Sequence, residues 1–203
     1  LVIDPARIPT GQRRVAEQRG LRIAFTADTH THADYISGSP DLASTGATFL
    51  APAAAHLDHE HRGLVDGDVV EAGRYHLEAI ATPGHAPDHL CFWHEESRSL
   101  FCGDLAVAGS SVWIPVSLQG DLGAYLASLE RVLALEPARM YPAHGAVIDD
   151  PTALLRRYLQ HRRDREEQVL GALARGDYDP ETIVARVYED LRESLLPLAR
   201  EGV

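Results

Sequence analysis

The chain has 203 residues, 45% of them apolar and 24% charged, with a net charge of −11. That length supports one well-filled core with some residues left over for an appendage. No apolar run reaches the roughly 18–20 residues of a membrane helix, and the acidic total argues against a broad electrostatic grip on nucleic acid.

The chain opens inside a strand-like run, Leu1-Val2-Ile3-Asp4, and its only methionine is Met140. The natural N-terminus, with any targeting segment, is therefore expected to lie outside this sequence. Further runs of strand length fall at 22–26, 48–50, 69–71, 75–81, 90–94, 99–102 and 139–141. Turns such as Asp66-Gly67-Asp68 and Glu95-Glu96-Ser97 separate them, and the runs at 90–94 and 99–102 read as a hairpin. Cys91 and Cys102 sit inside two of these apolar runs. Two buried, reduced thiols are the expectation, and a cytoplasmic setting follows from so few cysteines.

Helical periodicity takes over later. Leu122, Leu126, Leu129, Val132 and Leu133 share one face of a helix over 122–135 that ends before Pro137. Asp150-Pro151 is a start signal, an N-cap acid followed by proline, for a helix running to about Ala174 and stopping near Gly176. Asp179-Pro180-Glu181 repeats the signal for a helix over 181–191. The reading is a mixed α/β unit over 1–150 and a helical extension over 151–203.

Of eleven histidines, four stand just after a strand-like run, inside a turn. The run at 22–26 is followed by His30 and His32, that at 75–81 by Pro83-Gly84-His85, and that at 139–141 by Pro142-Ala143-His144-Gly145. Gly103-Asp104 follows the run at 99–102. Groups at strand ends converge on one rim of a sheet protein, so the four turns can face a common spot. Imidazole and carboxylate are the ligands of zinc, iron and manganese. In the loop His30-Thr31-His32-Ala33-Asp34, the two histidines can clasp one ion while Asp34 reaches a second ion or a water.

The order His-x-His-x-Asp, Pro-Gly-His, Gly-Asp, Pro-Ala-His-Gly resembles the metallo-β-lactamase-fold superfamily, from Leu1 to about Leu173. Residues 82–92 (TPGHAPDHLCF), 120–133 and 141–170 look most like its β-lactamase-like protein 2 branch. That branch carries a winged-helix-like helical extension, and its best-known member is a zinc-dependent endoribonuclease. Residues 29–42 are closer to the persulfide dioxygenase and hydroxyacylglutathione hydrolase branch. The resemblance implies a four-layer αβ/βα sandwich whose first strands precede Leu1. It implies His30, His32 and His85 on a first metal, Asp104 bridging, and Asp34 and His144 on a second. The family has histidine after the motif aspartate; this chain has Tyr35, a poor ligand near neutral pH.

Two chemistries are implied. One is hydrolysis by a metal-bound hydroxide, with one or two zinc ions and with Asp34 as the catalytic residue that positions or deprotonates the water. The other is a mononuclear iron persulfide dioxygenase using His30, His85 and Asp104. A catalytically weak binding module is the third reading. The expected partner is a small-molecule substrate, with RNA weakly indicated, no membrane, and oligomeric state open.

Other features read more simply. His56, His59 and His61 form a solvated loop, His89 is a hydrogen-bonding structural residue, and His76 and His94 are surface groups. The basic run at 156–163 is followed by Asp164, Glu166 and Glu167, as on an ion-paired helix face. Trp93 is a packing residue; Trp113 either packs or lines the pocket, and Tyr35 is a second pocket candidate.

Overall fold

The computed structural model describes residues 1–114, 116–188 and 196–200. One sheet holds β1 (Val2–Ile3), β2 (Phe25–Ala27), β3 (Thr48–Pro52) and β4 (Arg62–Leu64), in that order and all parallel. The other holds β5 (Val69–Ala72), β6 (Tyr75–Ala81), β7 (Leu90–His94), β8 (Ser99–Gly103) and β9 (Arg139–Pro142). This second sheet is antiparallel from β5 to β8, and β9 joins β8 in parallel. Parallel neighbours need crossovers. α1 (Thr10–Gln18), α2 (Ser39–Ala43) and α3 (Leu122–Ala134) fall in three of them.

The sheets stack through Ala27, Leu50 and Leu64 of the first and Val70, Leu77, Ala79, Leu90 and Phe92 of the second. The opposite face of the second sheet presents Ile80, Cys91, Trp93, Leu100, Cys102 and Met140. These pack on Tyr125, Leu129 and Val132 of α3 and on Leu154, Leu155 and Tyr158 of α4 (Pro151–Ala174). β7 is thus buried on both faces, which is why its sequence reads as a continuous apolar run. With α2 on β2 and β3, the layers run helix, sheet, sheet, helix. This is the expected four-layer sandwich.

Helix starts follow local chemistry. Asp121 accepts from the Ala124 N–H at 2.9 Å, Asp150 from Ala153 at 3.0 Å, and Asp179 from Thr182 at 2.9 Å. The third start opens α5 (Pro180–Val187); residues 189–191 of the expected helix lie outside those described. α4 begins in the sandwich's outer layer, and its Ala172 ends in a separate small cluster with Ile183 and Val187 of α5. A five-residue helix, α6 (Leu196–Arg200), packs on α5. In the basic run, Arg163 pairs with Glu130 at 3.0 Å and Arg162 lies over the Tyr125 ring. No helix among the described residues is long and apolar enough to cross a membrane.

Three elements left no usable pattern in the sequence. α1 buries none of its residues, so it carries no apolar stripe. α2 and β4 have five and three residues, too few for a period to show.

Candidate metal centre

The residues that follow β2 are held by acids from elsewhere in the chain. Asp4, at the end of β1, accepts from the Thr29 N–H at 2.8 Å and the Thr29 hydroxyl at 2.9 Å. Because that hydroxyl donates to Asp4, it must accept from His30 Nδ1–H, 2.9 Å away. The Nε2 lone pair of His30 therefore faces the centre. Asp88 holds the next residue, accepting from the Thr31 N–H at 2.9 Å and its hydroxyl at 2.7 Å.

His85 is fixed in the same sense. Its Nδ1–H donates to the Trp113 carbonyl at 2.8 Å, leaving an Nε2 lone pair 3.6 Å from Asp104 Oδ2. His30 Nε2 lies 3.9 Å from that same oxygen. Donor atoms of His30, His85 and Asp104 all fall within 4.8 Å of one another. Tetrahedral zinc at 2.0–2.1 Å from its ligands spaces them about 3.4 Å apart. The two histidine–Asp104 separations exceed that spacing by only about 0.2–0.5 Å.

Asp104 is seated by His89, which is 1% exposed. The Asp104 N–H donates to His89 Nε2 at 3.1 Å, so Nδ1–H of that ring donates to the Thr82 hydroxyl at 2.8 Å. The seat is tight. Gly103 has φ +48°, and a Cβ there would lie 2.6 Å from Thr29 Oγ1 and 2.7 Å from His89 Nε2. His89 is thus the structural residue expected, and the position it supports is the metal-facing carboxylate.

His32 is turned differently. Its Nε2 meets Asp4 Oδ1 at 3.2 Å and the Tyr35 hydroxyl at 3.0 Å. A carboxylate only accepts, so Nε2 carries a proton, and in the neutral ring Nδ1 holds the lone pair. That Nδ1 is buried without a hydrogen-bond partner, and the ring sits edge-on to His30 with centroids 4.3 Å apart. An orphaned, buried imidazole nitrogen beside three converging donors fits a fourth ligand. Asp4, Asp28 and His32 also lie close together, but the Asp4 and Asp28 carboxylates are occupied by Thr29, His32, Ser37 and Ser39.

His144 Nε2 contacts Asp34 Oδ2 at 2.9 Å and lies 3.8 Å from Asp104 Oδ1. Both His144 and Asp34 are half-exposed. All six expected ligand positions therefore line one site, with His30, His85 and Asp104 as its compact part.

Electrostatics favour neutral rings at His30 and His89 and a charged one at His32. Burial, then the neighbouring His32, pushes His30 down to about 3. Burial also holds His89 well below its usual range. Burial alone would lower His32 as well, but the Asp4 hydrogen bond and charge outweigh it and raise the group. Burial raises Asp104 against the pull of His144 and His85. The Tyr35 phenol is pushed above its ordinary value by burial and then by the surrounding carboxylates, so it stays protonated.

The donors form the floor of a cavity of about 790 Å³. Its lining includes the apolar residues Ala54, Ala86, Val107, Val112, Trp113 and Leu118. No lysine or arginine lines it among the described residues. Trp113, 39% exposed, is thus a lining residue, whereas Trp93 is packed in the core and Tyr35, turned onto His32, is not among the lining residues. His56 stands at the cavity rim, while His61 bonds to the His59 carbonyl. His76 is exposed and His94 bonds to Ser97. Cys91 and Cys102 are buried free thiols, Cys91 pushed up to about 12 by burial.

Histidine and aspartate turns at the strand ends of this sandwich make a candidate metal-binding fold. The sequence profile of the metallo-beta-lactamase superfamily matches residues 28–144, and the chain belongs to that superfamily. It is 36% identical over 161 residues to the lactamase-like protein aptB of Emericella nidulans, covering 79% of this chain and 50% of that protein. The chain spans about half the length of the curated relatives it matches. Among solved structures it is similar to a metallo-beta-lactamase family protein of Thermus thermophilus, at TM-score 0.76 and 20% identity over 98% of this chain and 81% of that one. ETHE1 of Myxococcus xanthus shares the fold at TM-score 0.65 and 22% identity, covering 98% and 87%. Superfamily members bind zinc or iron and are mostly metal-dependent hydrolases.

Sequence reasoning missed Asp4, Thr29 and Asp88. A signal was there for Asp4, an acid ending a strand-like run as Asp104 does. Nothing in the local pattern marks Asp88 as the anchor of Thr31, 57 residues earlier.

Proposed function

We propose that the chain is a zinc-dependent hydrolase of uncharged carboxylic esters or thioesters. One observation carries this: three donors with lone pairs fixed inward, His30 Nε2, His85 Nε2 and Asp104 Oδ2, form the floor of a cavity with apolar residues in its lining. A bound zinc ion would supply the acidity that makes water nucleophilic near neutral pH. Asp34 takes and orients the proton of the attacking water, with His144 holding its carboxylate at 2.9 Å. The apolar lining receives the acyl group and excludes bulk water. Phosphodiesters fit less well, because backbone phosphates are gripped by lysine and arginine, and the lining offers neither.

The test is elemental analysis of protein purified without added metal, joined to turnover of a p-nitrophenyl ester and an S-acyl thiol. Zinc should co-purify, chelation should abolish turnover, and zinc should restore it. Asp34→Asn should retain metal and lose about 10²–10⁴-fold in kcat. The compact group is also a two-histidine, one-carboxylate set, which suits a mononuclear iron oxygenase. Iron in the purified protein, with O₂ consumption on glutathione persulfide and no ester cleavage, would replace the hydrolase reading.

A further inference from the structure

We propose that this centre retains a single ion, and that Tyr35 is the residue that keeps a second from binding. The inference rests on the metal-site reading above. The strong position is the one where the donors of His30, His85 and Asp104 converge, with the buried, orphaned Nδ1 of His32 on the neighbouring ring. What remains for another ion is Asp34, His144 and the second oxygen of Asp104.

Position 35 supplies nothing to that remainder. The Tyr35 hydroxyl is bound to His32 Nε2 at 3.0 Å, on the side of the ring that also meets Asp4. Its ring stands tilted against His32, with centroids 4.3 Å apart, while the His144 ring is 6.5 Å away. The phenol therefore braces the ligand loop through His32: its hydroxyl is committed there, and only its ring, edge-on, approaches His144. That pair satisfies itself at 2.9 Å, and both side chains are half-exposed. Asp34 and His144 belong to neither of the compact ligand groups found among the described residues. An ion entering there would have to break the Asp34–His144 contact, compete with water and manage with three donors. Its affinity should fall at least about 10-fold below that of the first position.

An imidazole at position 35 would add the missing donor. Wild-type chain, Tyr35→His and Tyr35→Phe are stripped with chelator and equilibrated by dialysis against micromolar zinc. Metal per chain is then read by mass spectrometry, with manganese EPR as a second readout. One ion per chain is expected for wild type and for Tyr35→Phe, with an uncoupled manganese spectrum. Tyr35→His should bind two, with an exchange-coupled spectrum, and adding Asp34→Ala should return it to one. Two ions in the wild type, or one in a folded Tyr35→His, would overturn the inference while leaving the metal reading intact. No ion in any variant would overturn both.

Discussion

Replacing Gly84 by alanine strikes the joint between the sandwich and the metal floor. Gly84 has φ +136°, where side chains are rarely accommodated, and its carbonyl accepts from the Asp121 N–H at 2.8 Å. An added Cβ would lie 2.3 Å from Tyr125 Cα and 2.5 Å from Tyr125 N, both backbone atoms of α3. The turn must retreat by about 1 Å to reach ordinary contact, because a packed helix backbone cannot yield. Backbone strain costs about 1–3 kcal/mol and overpacking about 1–3 kcal/mol. Together they remove a large share of the roughly 5–15 kcal/mol that stabilises a domain. His85 rides on the same turn, so its Nε2 leaves the position facing Asp104. Urea denaturation of metal-free protein should show a loss of about 3–5 kcal/mol, and chelator competition should show at least about 10-fold weaker zinc binding. A loss under about 1 kcal/mol with unchanged metal affinity would refute the claim that this close approach sets the ligand.

Three further outcomes follow from the site. His89→Ala should cost about 2–4 kcal/mol, since it leaves a cavity and strips partners from the Asp104 N–H and the Thr82 hydroxyl; unchanged metal affinity in that variant would deny His89 its seating role. Metal-stripped protein should weaken as pH falls. His30 and His89 have depressed folded values, so below about 6.5 the unfolded chain binds more protons than the folded one. The loss runs from there towards the folded value of about 3 for His30, at up to about 1.4 kcal/mol per pH unit for each histidine. His32, raised by Asp4, has the opposite sign and loses its contribution only as pH rises through its folded value. Equal stability at pH 5 and pH 7 in urea titrations would contradict this balance. Trp113→Ala should raise KM for a bulky apolar acyl ester about 5–30-fold while sparing an acetyl ester, because the side chain lines the cavity and only its backbone carbonyl holds His85. A parallel change for both esters would remove the apolar lining from the substrate account.

Much of the architecture was legible because the signals are local. Asp121, Asp150 and Asp179 cap their helices through an N–H only three residues on, so each start could be read from a short stretch. The apolar run at 90–94 marked a strand, and the structure buries it on both faces. α1 could not be read, since a helix that buries nothing leaves no stripe. His56 was placed in a solvated loop, and only the packing of the loop after β3 brings it to the cavity rim.

The candidate ligands His30, His32, Asp34, His85, Asp104 and His144 were all present as residue types in strand-end turns, and chemistry by itself marks those types for a metal. The amino-acid order could not say which nitrogen each imidazole would offer. That depends on partners far along the chain: Asp4 lies 25 residues before Thr29, and the Trp113 carbonyl lies 28 residues after His85. Asp88, 57 residues after Thr31, holds the loop that carries two of the ligands. Nor could the order say that Tyr35 would turn onto His32 and leave Asp34 with His144. Ligand identity is a property of single side chains. A lone pair's direction is settled by the donor or acceptor on the other side of the ring, and only the packing of the two sheets brings that group into place.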